Sequence, residues 1–111
     1  MSSQSFPEKT CQIDRLVTNE KMVAAVAEGR KSQQRRNGVY AYPGERFDLE
    51  GETFEVVRLE HQRLGDMTED EAQKEGFPNL DVYRDIIIRM HPGMAWSPDH
   101  KVWLHEFARV Q

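Results

Sequence analysis

The sequence predicts a small α+β domain in which short strands are wrapped by about three short helices. Three observations lead there. At 111 residues the chain is too short to divide, since either half would bury too little apolar surface to fold without disulfides or metal. Helix start and stop signals bracket three separate segments, and turn signals punctuate the rest at close intervals. The stretch from Thr53 to His61 carries apolar residues on both faces, as the wall of a small barrel packed by helices would.

Taken in order, Asn19 caps a helix running to about Glu28, with Met22, Val23 and Val26 on one face and alanines favouring the helical state. Gly29 ends it, because glycine takes the left-handed conformation at little cost, and the reversal presents Arg30 and Lys31 immediately afterwards. A polar extended stretch to Arg36, an Asn37-Gly38 turn, a short strand over Val39 to Tyr42 and a Pro43-Gly44 turn follow. Arg46 to Leu49 and Thr53 to His61, joined through Glu50-Gly51, read as a hairpin with Phe54 and Val56 alternating against Val57 and Leu59. Thr68 and Glu71 form a capping box opening a short helix that ends near Gly76, with Glu75 in its last turn. Asn79 caps a third helix whose Leu80, Tyr83, Ile87 and Met90 recur at helical spacing as a core stripe, and His91-Pro92-Gly93 stops it. Lys101 to Val110 closes the chain as a strand, with Val102, Leu104, Ala108 and Val110 on one face and Trp103 and Phe107 on the other.

Composition narrows the class. A mean hydropathy of -0.76 implies a wet surface over a modest core. Residues 1–12 offer little to bury and are expected as a flexible tail, leaving 13–111 as the domain. Cys11 is the single cysteine, which excludes an internal disulfide, a CxxC redox pair and a zinc ribbon and fits a reducing cytoplasm. No apolar run approaches the roughly 20 residues a bilayer requires, and the polar start lacks the pattern of a signal peptide. A net charge of -4 argues against a protein that coats DNA or RNA by counterion release, so any basic surface is local. Arg30, Lys31, Arg35 and Arg36 supply one, while acidic residues gather between Glu45 and Glu60 and between Glu69 and Glu75.

Gly29-Arg30-Lys31 at a helix exit, Arg36 downstream and Gly44-Glu45 opening a strand, in that order, resemble the signature of the ASCH family within the PUA-like superfamily. The resemblance continues through Ala72-Gln73-Lys74-Glu75, the amphipathic helix after it, His91-Pro92-Gly93 and Glu106-Phe107, covering about residues 13 to 110. It is nearest to the small bacterial branch that includes N4-acetylcytidine amidohydrolase. It implies a mostly β barrel flanked by helices, with a pocket between the first helix–strand junction and the acidic short helix. It also implies that Lys31 and Glu75 stand where that branch has its catalytic lysine and glutamate. The catalytic threonine, three places after the lysine, is replaced by Gln34, and a carboxamide cannot attack an amide carbonyl as a hydroxyl can.

A lysine and a glutamate converging in a partly dry pocket can exchange a proton, since burial and mutual attraction tune both; on a surface they make only a salt bridge. Strict strand alternation turns Ser32 away from Lys31 and also separates Lys31 from Gln34 unless residues 31 to 34 begin as a turn. In that turn Gln34 would read a base edge, because its amide both donates and accepts. Arg35 and Arg36 can grip a phosphate, stack on a base or simply face solvent, and Arg36, which matches the family's arginine, can equally hold Glu75 or a strand end. Tyr40 and Tyr42 lie near the same rim as packing or stacking residues, and Trp96 lies in the loop before the last strand. His61, His91, His100 and His105 show no metal-ligand spacing, and no nucleophile elbow or phosphate-binding glycine loop occurs, so neither a metal nor a cofactor is expected.

Three functions follow. The first is recognition of a modified nucleoside or a base of single-stranded RNA through Arg30, Lys31, Gln34, Arg36, Tyr40 and Glu75. The second is hydrolysis of N4-acetylcytidine or a related amide, with Lys31 and Glu75 activating water or Ser32 replacing the missing nucleophile. The third is a protein-interaction or regulatory domain with exposed aromatics as its partner surface.

Overall fold

The structure, a computed structural model, describes residues 6–90, 93 and 96–110. Its elements run α1 (Glu20–Ala27), β1 (Gln33–Arg36), β2 (Arg46–Leu49), β3 (Glu52–Arg63), α2 (Glu69–Lys74), α3 (Leu80–Met90) and β4 (Lys101–Arg109), with single 3-10 turns at Ile13–Arg15 and Leu64–Asp66. The strands form one antiparallel sheet in the order β1-β4-β3-β2, curled into a half-barrel with the helices around it. This is the small α+β fold that the sequence predicts, with the barrel realised as half of one.

Local chemistry sets the helix ends. Asn19 accepts the backbone N–H groups of Lys21 and Met22, and Thr68 and Glu71 bond reciprocally as a capping box. Asn79 accepts from Val82 N at 2.9 Å at the start of α3. Both α1 and α2 close with a left-handed glycine, Gly29 at φ 83° and Gly76 at φ 104°. The residues after these glycines, Arg30 and Phe77, donate back to Ala25 O and Ala72 O, six-residue closures that satisfy carbonyls the helix leaves open. Between β2 and β3, Glu50 and Gly51 both take positive φ, the geometry of a two-residue hairpin turn that follows the strand twist.

The strict alternation expected along β3 fails at Val57. Pairing with β4 shifts register between Val56 and Arg58, so Val57 is an extra, unpaired residue, 50% exposed. The bulge moves Leu59, His61 and Arg63 onto the side of the sheet that holds Phe54 and Val56. Strand β4 buries both of its sides, Val102 and Leu104 on one and His105 and Phe107 on the other, while Ala108 is exposed. The main core joins Leu16, Val17, Val26, Phe47, Phe54 and Phe107, and a smaller one gathers Met67, Ala72 and Tyr83 under Phe77 and Trp96.

The strand expected over Val39 to Tyr42 is instead an irregular buried connection, because its backbone groups find partners off the sheet. Val39 O accepts from Thr10 N, Tyr40 N donates to His105 Nε2, and Tyr42 N donates to the Glu45 carboxylate. The stripe on α3 is also less buried than its spacing suggests: Tyr83 is buried, but Met90 is 62% exposed, since α3 packs chiefly against the short helix α2. The stop signal after it falls on His91 and Pro92, outside the described residues; Gly93 takes a positive φ. Residues 1–5, at the start of the expected tail, also lie outside them. From Phe6 the chain lies along the 39–42 connection, with Phe6 stacked on Tyr42 and Tyr42 Oη donating to Pro7 O at 2.8 Å.

Candidate functional site: a sealed lysine–glutamate–arginine cluster

The two glycine-closed helices deliver the central pair. The reversal after α1 bonds Lys31 N to Ala25 O and Ser32 N to Lys74 O, which docks residues 31 and 32 on the C-terminal end of α2. Glu75 is the C-cap of α2 and so meets them there. Lys31 Nζ donates to Gln33 O at 2.6 Å, to Glu75 O at 2.8 Å and to Glu75 Oε1 at 3.2 Å, which uses all three of its protons. Arg35 Nη1 donates to the other carboxylate oxygen, Glu75 Oε2, at 2.8 Å. The side chains of Lys31, Arg35 and Glu75 are 1–2% exposed.

Around this triad, Arg35 Nη2 reaches Glu71 Oε2 at 3.0 Å, Arg35 Nε reaches Gln62 Oε1 at 2.9 Å and Arg35 Nη1 also reaches Gln33 Oε1 at 3.1 Å. Two cations therefore face two carboxylates, and the two glutamines fill the remaining bonds. Such completeness is what makes buried charge tolerable, because an unpaired charge in this setting costs several kcal/mol. Burial lowers the pKa of Lys31 below its ordinary value; attraction and hydrogen bonding from Glu75 offset part of that, and the nearby Arg35 and Arg36 add to the lowering. Tyr83, buried beside the cluster, is pushed up by desolvation and then by the charge of Glu75.

A cleft of about 510 Å³ opens beside this cluster, between the end of α1 and the ends of β3 and β4. Lys31 and Ser32 line it with Gly29, Phe54, Phe107 and Arg109. Arg109 is fixed there, its guanidinium 5.8 Å from the Phe54 ring centre and its Nη2 donating to Ala27 O at 2.8 Å. Among the described residues no three His, Cys, Asp or Glu side chains gather closely enough to hold a metal ion, and no helix is long and apolar enough to cross a membrane.

The structure brings together Lys31 and Glu75 and parts them from the other candidates. Strand alternation persists from Lys31 through β1, so Lys31, Gln33 and Arg35 share one side while Gln34 and Arg36 take the other. Gln34 pairs with His105 across the sheet and its amide donates to Arg35 O at 3.2 Å, away from the pair. Arg36 holds Leu16 O at 2.7 Å and lies 5.3 Å over the Tyr40 ring, so the arginine that binds Glu75 is Arg35. Arg30 is exposed and pairs with Glu28. Tyr40 is half-buried and meets His105 edge-on. Gln33, Arg35, Gln62 and Glu71 complete the cluster, and of these the sequence points only to Arg35, as a phosphate or base contact and not as the partner of Glu75. Two signals mark three of them: spacing by two from Lys31 selects Gln33 and Arg35, and the i, i+4 relation to Glu75 selects Glu71.

No protein-family model matches the chain, and no curated protein matches its sequence. Two solved structures do match in fold. An ASCH domain from Lactobacillus crispatus JV V101 superposes with a TM-score of 0.60 at 15% identity, over 84% of this chain and 75% of that one. A protein of family DUF984 from Enterococcus faecalis V583 superposes with a TM-score of 0.58 at 17% identity, over 81% of this chain and 67% of that one. At these identities the likeness concerns the fold: this chain has the curled half-barrel and flanking helices of an ASCH domain.

Proposed function

We propose that this chain is a recognition domain for a nucleoside, free or carried as an unpaired base in RNA, bound in the cleft beside Lys31 and Glu75. The observation that carries the reading is a fully bonded but desolvated Lys31–Glu75–Arg35 triad lying next to an open cleft of about 510 Å³. That volume is in the range of small-ligand pockets. Apolar residues of similar size would fill the interior without the desolvation cost of a triad, so the presence of charges here supports a use beyond packing. Phe54 and Phe107 offer apolar walls to a planar base, and Arg109 a cationic edge. The 3.2 Å contact from Lys31 to Glu75 Oε1 is the longest of the ammonium's bonds and the one a base edge would exchange.

A thermal-shift screen of free and modified nucleosides tests this directly. A true ligand at a hundredfold excess over its Kd adds about 2.7 kcal/mol of stability. The shift should vanish in Lys31→Met and persist in Arg46→Ala, whose side chain is exposed and paired with Glu55. Absence of any nucleoside-dependent shift, or an equal shift in both variants, would remove the reading.

A second reading is favoured by Ser32, which lines the same cleft as Lys31. In it the chain hydrolyses N4-acetylcytidine or a related amide: Lys31 in its uncharged form, which burial favours, takes a proton from water, the oxygen attacks the carbonyl, and the C–N bond breaks as the proton passes to the leaving amine, releasing acetate and cytidine. Where Ser32 attacks instead, cytidine leaves first and water then hydrolyses the acetyl-serine to acetate. Gln34, on the opposite side of the sheet, takes no part. Incubation with N4-acetylcytidine decides it, and turnover no greater than that of Glu75→Gln would exclude it.

A further inference from the structure

On the side of the sheet opposite Lys31, Gln33 and Arg35, cross-strand pairing builds a second constellation that the buried cluster does not use. Paired residues of antiparallel strands share a side, so Arg36, Trp103 and His61 form one row across β1, β4 and β3, and Lys101 and Arg63 form the next. The His61 and Trp103 rings are stacked, with centroids 4.4 Å apart and planes within 6°. Phe6 meets Trp103 edge-on at 6.4 Å and Arg36 lies over Tyr40, which extends the aromatic and cationic surface toward the 39–42 connection. His61, Arg63 and Lys101 are exposed and Trp103 and Arg36 half-buried.

Charge on these two rows has one sign. The strand residues Arg36, Arg63 and Lys101 are cationic, whereas Glu60 and Glu106 project from the other side. Arg36 spends its bonds on the carbonyls of Leu16 and Arg15, not on a carboxylate. Arg63 is shared with Asp66 and Asp99, but all three side chains are well exposed, and such surface pairs exchange readily for another anion.

We propose that this open end of the sheet is a stacking platform for single-stranded nucleic acid. An unpaired base extends the Trp103–His61 stack on the free side of His61, and its phosphates lie along Lys101 and Arg63. Every base has a flat π-face, so such a platform tolerates sequence, and stacking on aromatic side chains is worth about 1–3 kcal/mol per base. Paired bases cannot reach it, because their faces are already stacked within the duplex. The inference stands apart from the nucleoside cleft, since none of its residues line that cleft.

Titration with short oligouridylate and oligothymidylate at about 50 mM salt tests it, in a Trp96→Phe background so that Trp103 emits alone. Binding should quench that emission. His61→Ala should weaken binding about tenfold, while His61→Tyr, which keeps a ring, should restore it. Lys101→Ala should lower the salt dependence by about one phosphate contact. Comparable binding of the two oligomers assigns the platform to either nucleic acid, and preference for uridylate assigns it to RNA. No binding, unchanged affinity in His61→Ala, or equal affinity for duplex RNA would overturn the proposal. His61→Ala leaves any nucleoside-induced thermal shift intact, so failure of the platform and failure of the cleft are separately visible.

Discussion

Glu75→Gln perturbs the cluster at its most connected point. The carboxylate takes Lys31 at 3.2 Å through one oxygen and Arg35 at 2.8 Å through the other, and both cations are about 1% exposed. Neutralising it leaves two buried cations facing Glu71 alone, which is 16% exposed and bonds Arg35 but not Lys31. Breaking a buried pair by removing one partner costs about 3–5 kcal/mol. Lys31 keeps the carbonyls of Gln33 and Glu75, and Arg35 keeps Glu71 and Gln62, so the loss belongs near the lower end, about 3 kcal/mol. For a domain of this size that lowers Tm by roughly 12 °C, at about 4 °C per kcal/mol. Lys31→Met is milder, about 1–2 kcal/mol, because Glu75 retains Arg35 as its partner. Urea denaturation followed by circular dichroism, with the slope m compared among variants, measures both. A Glu75→Gln loss within about 0.5 kcal/mol of wild type, or a larger loss for Lys31→Met, would refute the account of a sealed, Glu75-centred network.

Further expectations concern pH and backbone. The pKa of Lys31 is lowered in the folded chain, so between that value and 10.5 the unfolded chain binds more protons; stability should rise with pH across this window, and Lys31→Met should flatten the rise. His105 is lowered by burial, with its backbone partners opposing and Arg36 reinforcing the change, so its contribution should be complete above 6.5 and fade as pH falls toward the folded value. His105→Gln should reduce that acid slope in the same urea experiment. Gly29→Ala should cost about 1–2 kcal/mol through its positive φ alone, because a Cβ there meets no atom within 4 Å. Gly38→Ala acts through contact instead: its Cβ would fall on the Thr10 side chain, so hydrogen exchange should quicken at the Thr10 amide.

Much of the candidate site is legible because helix ends are governed by neighbours in sequence. Asn19, Gly29, Thr68 and Gly76 each satisfy backbone groups within a few residues, and together they fix Lys31 and Glu75 at two helix exits. The identity of the arginine that joins them is legible in principle from alternation along β1, which puts Arg35 on the Lys31 side of the sheet and Arg36 on the other. Two features had no local signature. Residues 39–42 have the composition of a strand but pair with side chains from residues 45 and 105. The bulge at Val57 follows no glycine, and it alone brings His61 beside Trp103.

The sequence by itself therefore determined the helices, their caps, the hairpin turn and the α+β class, since these depend on hydrogen bonds and periodicities closed over a few neighbours. Tertiary structure alone decided the register of β4 between β1 and β3, which oxygen each buried cation takes and the side on which His61 emerges. Those outcomes join residues about 40 to 70 positions apart, such as Lys31 with Glu75 and Gln33 with Glu106, and are settled only when every buried donor and acceptor competes for partners at once.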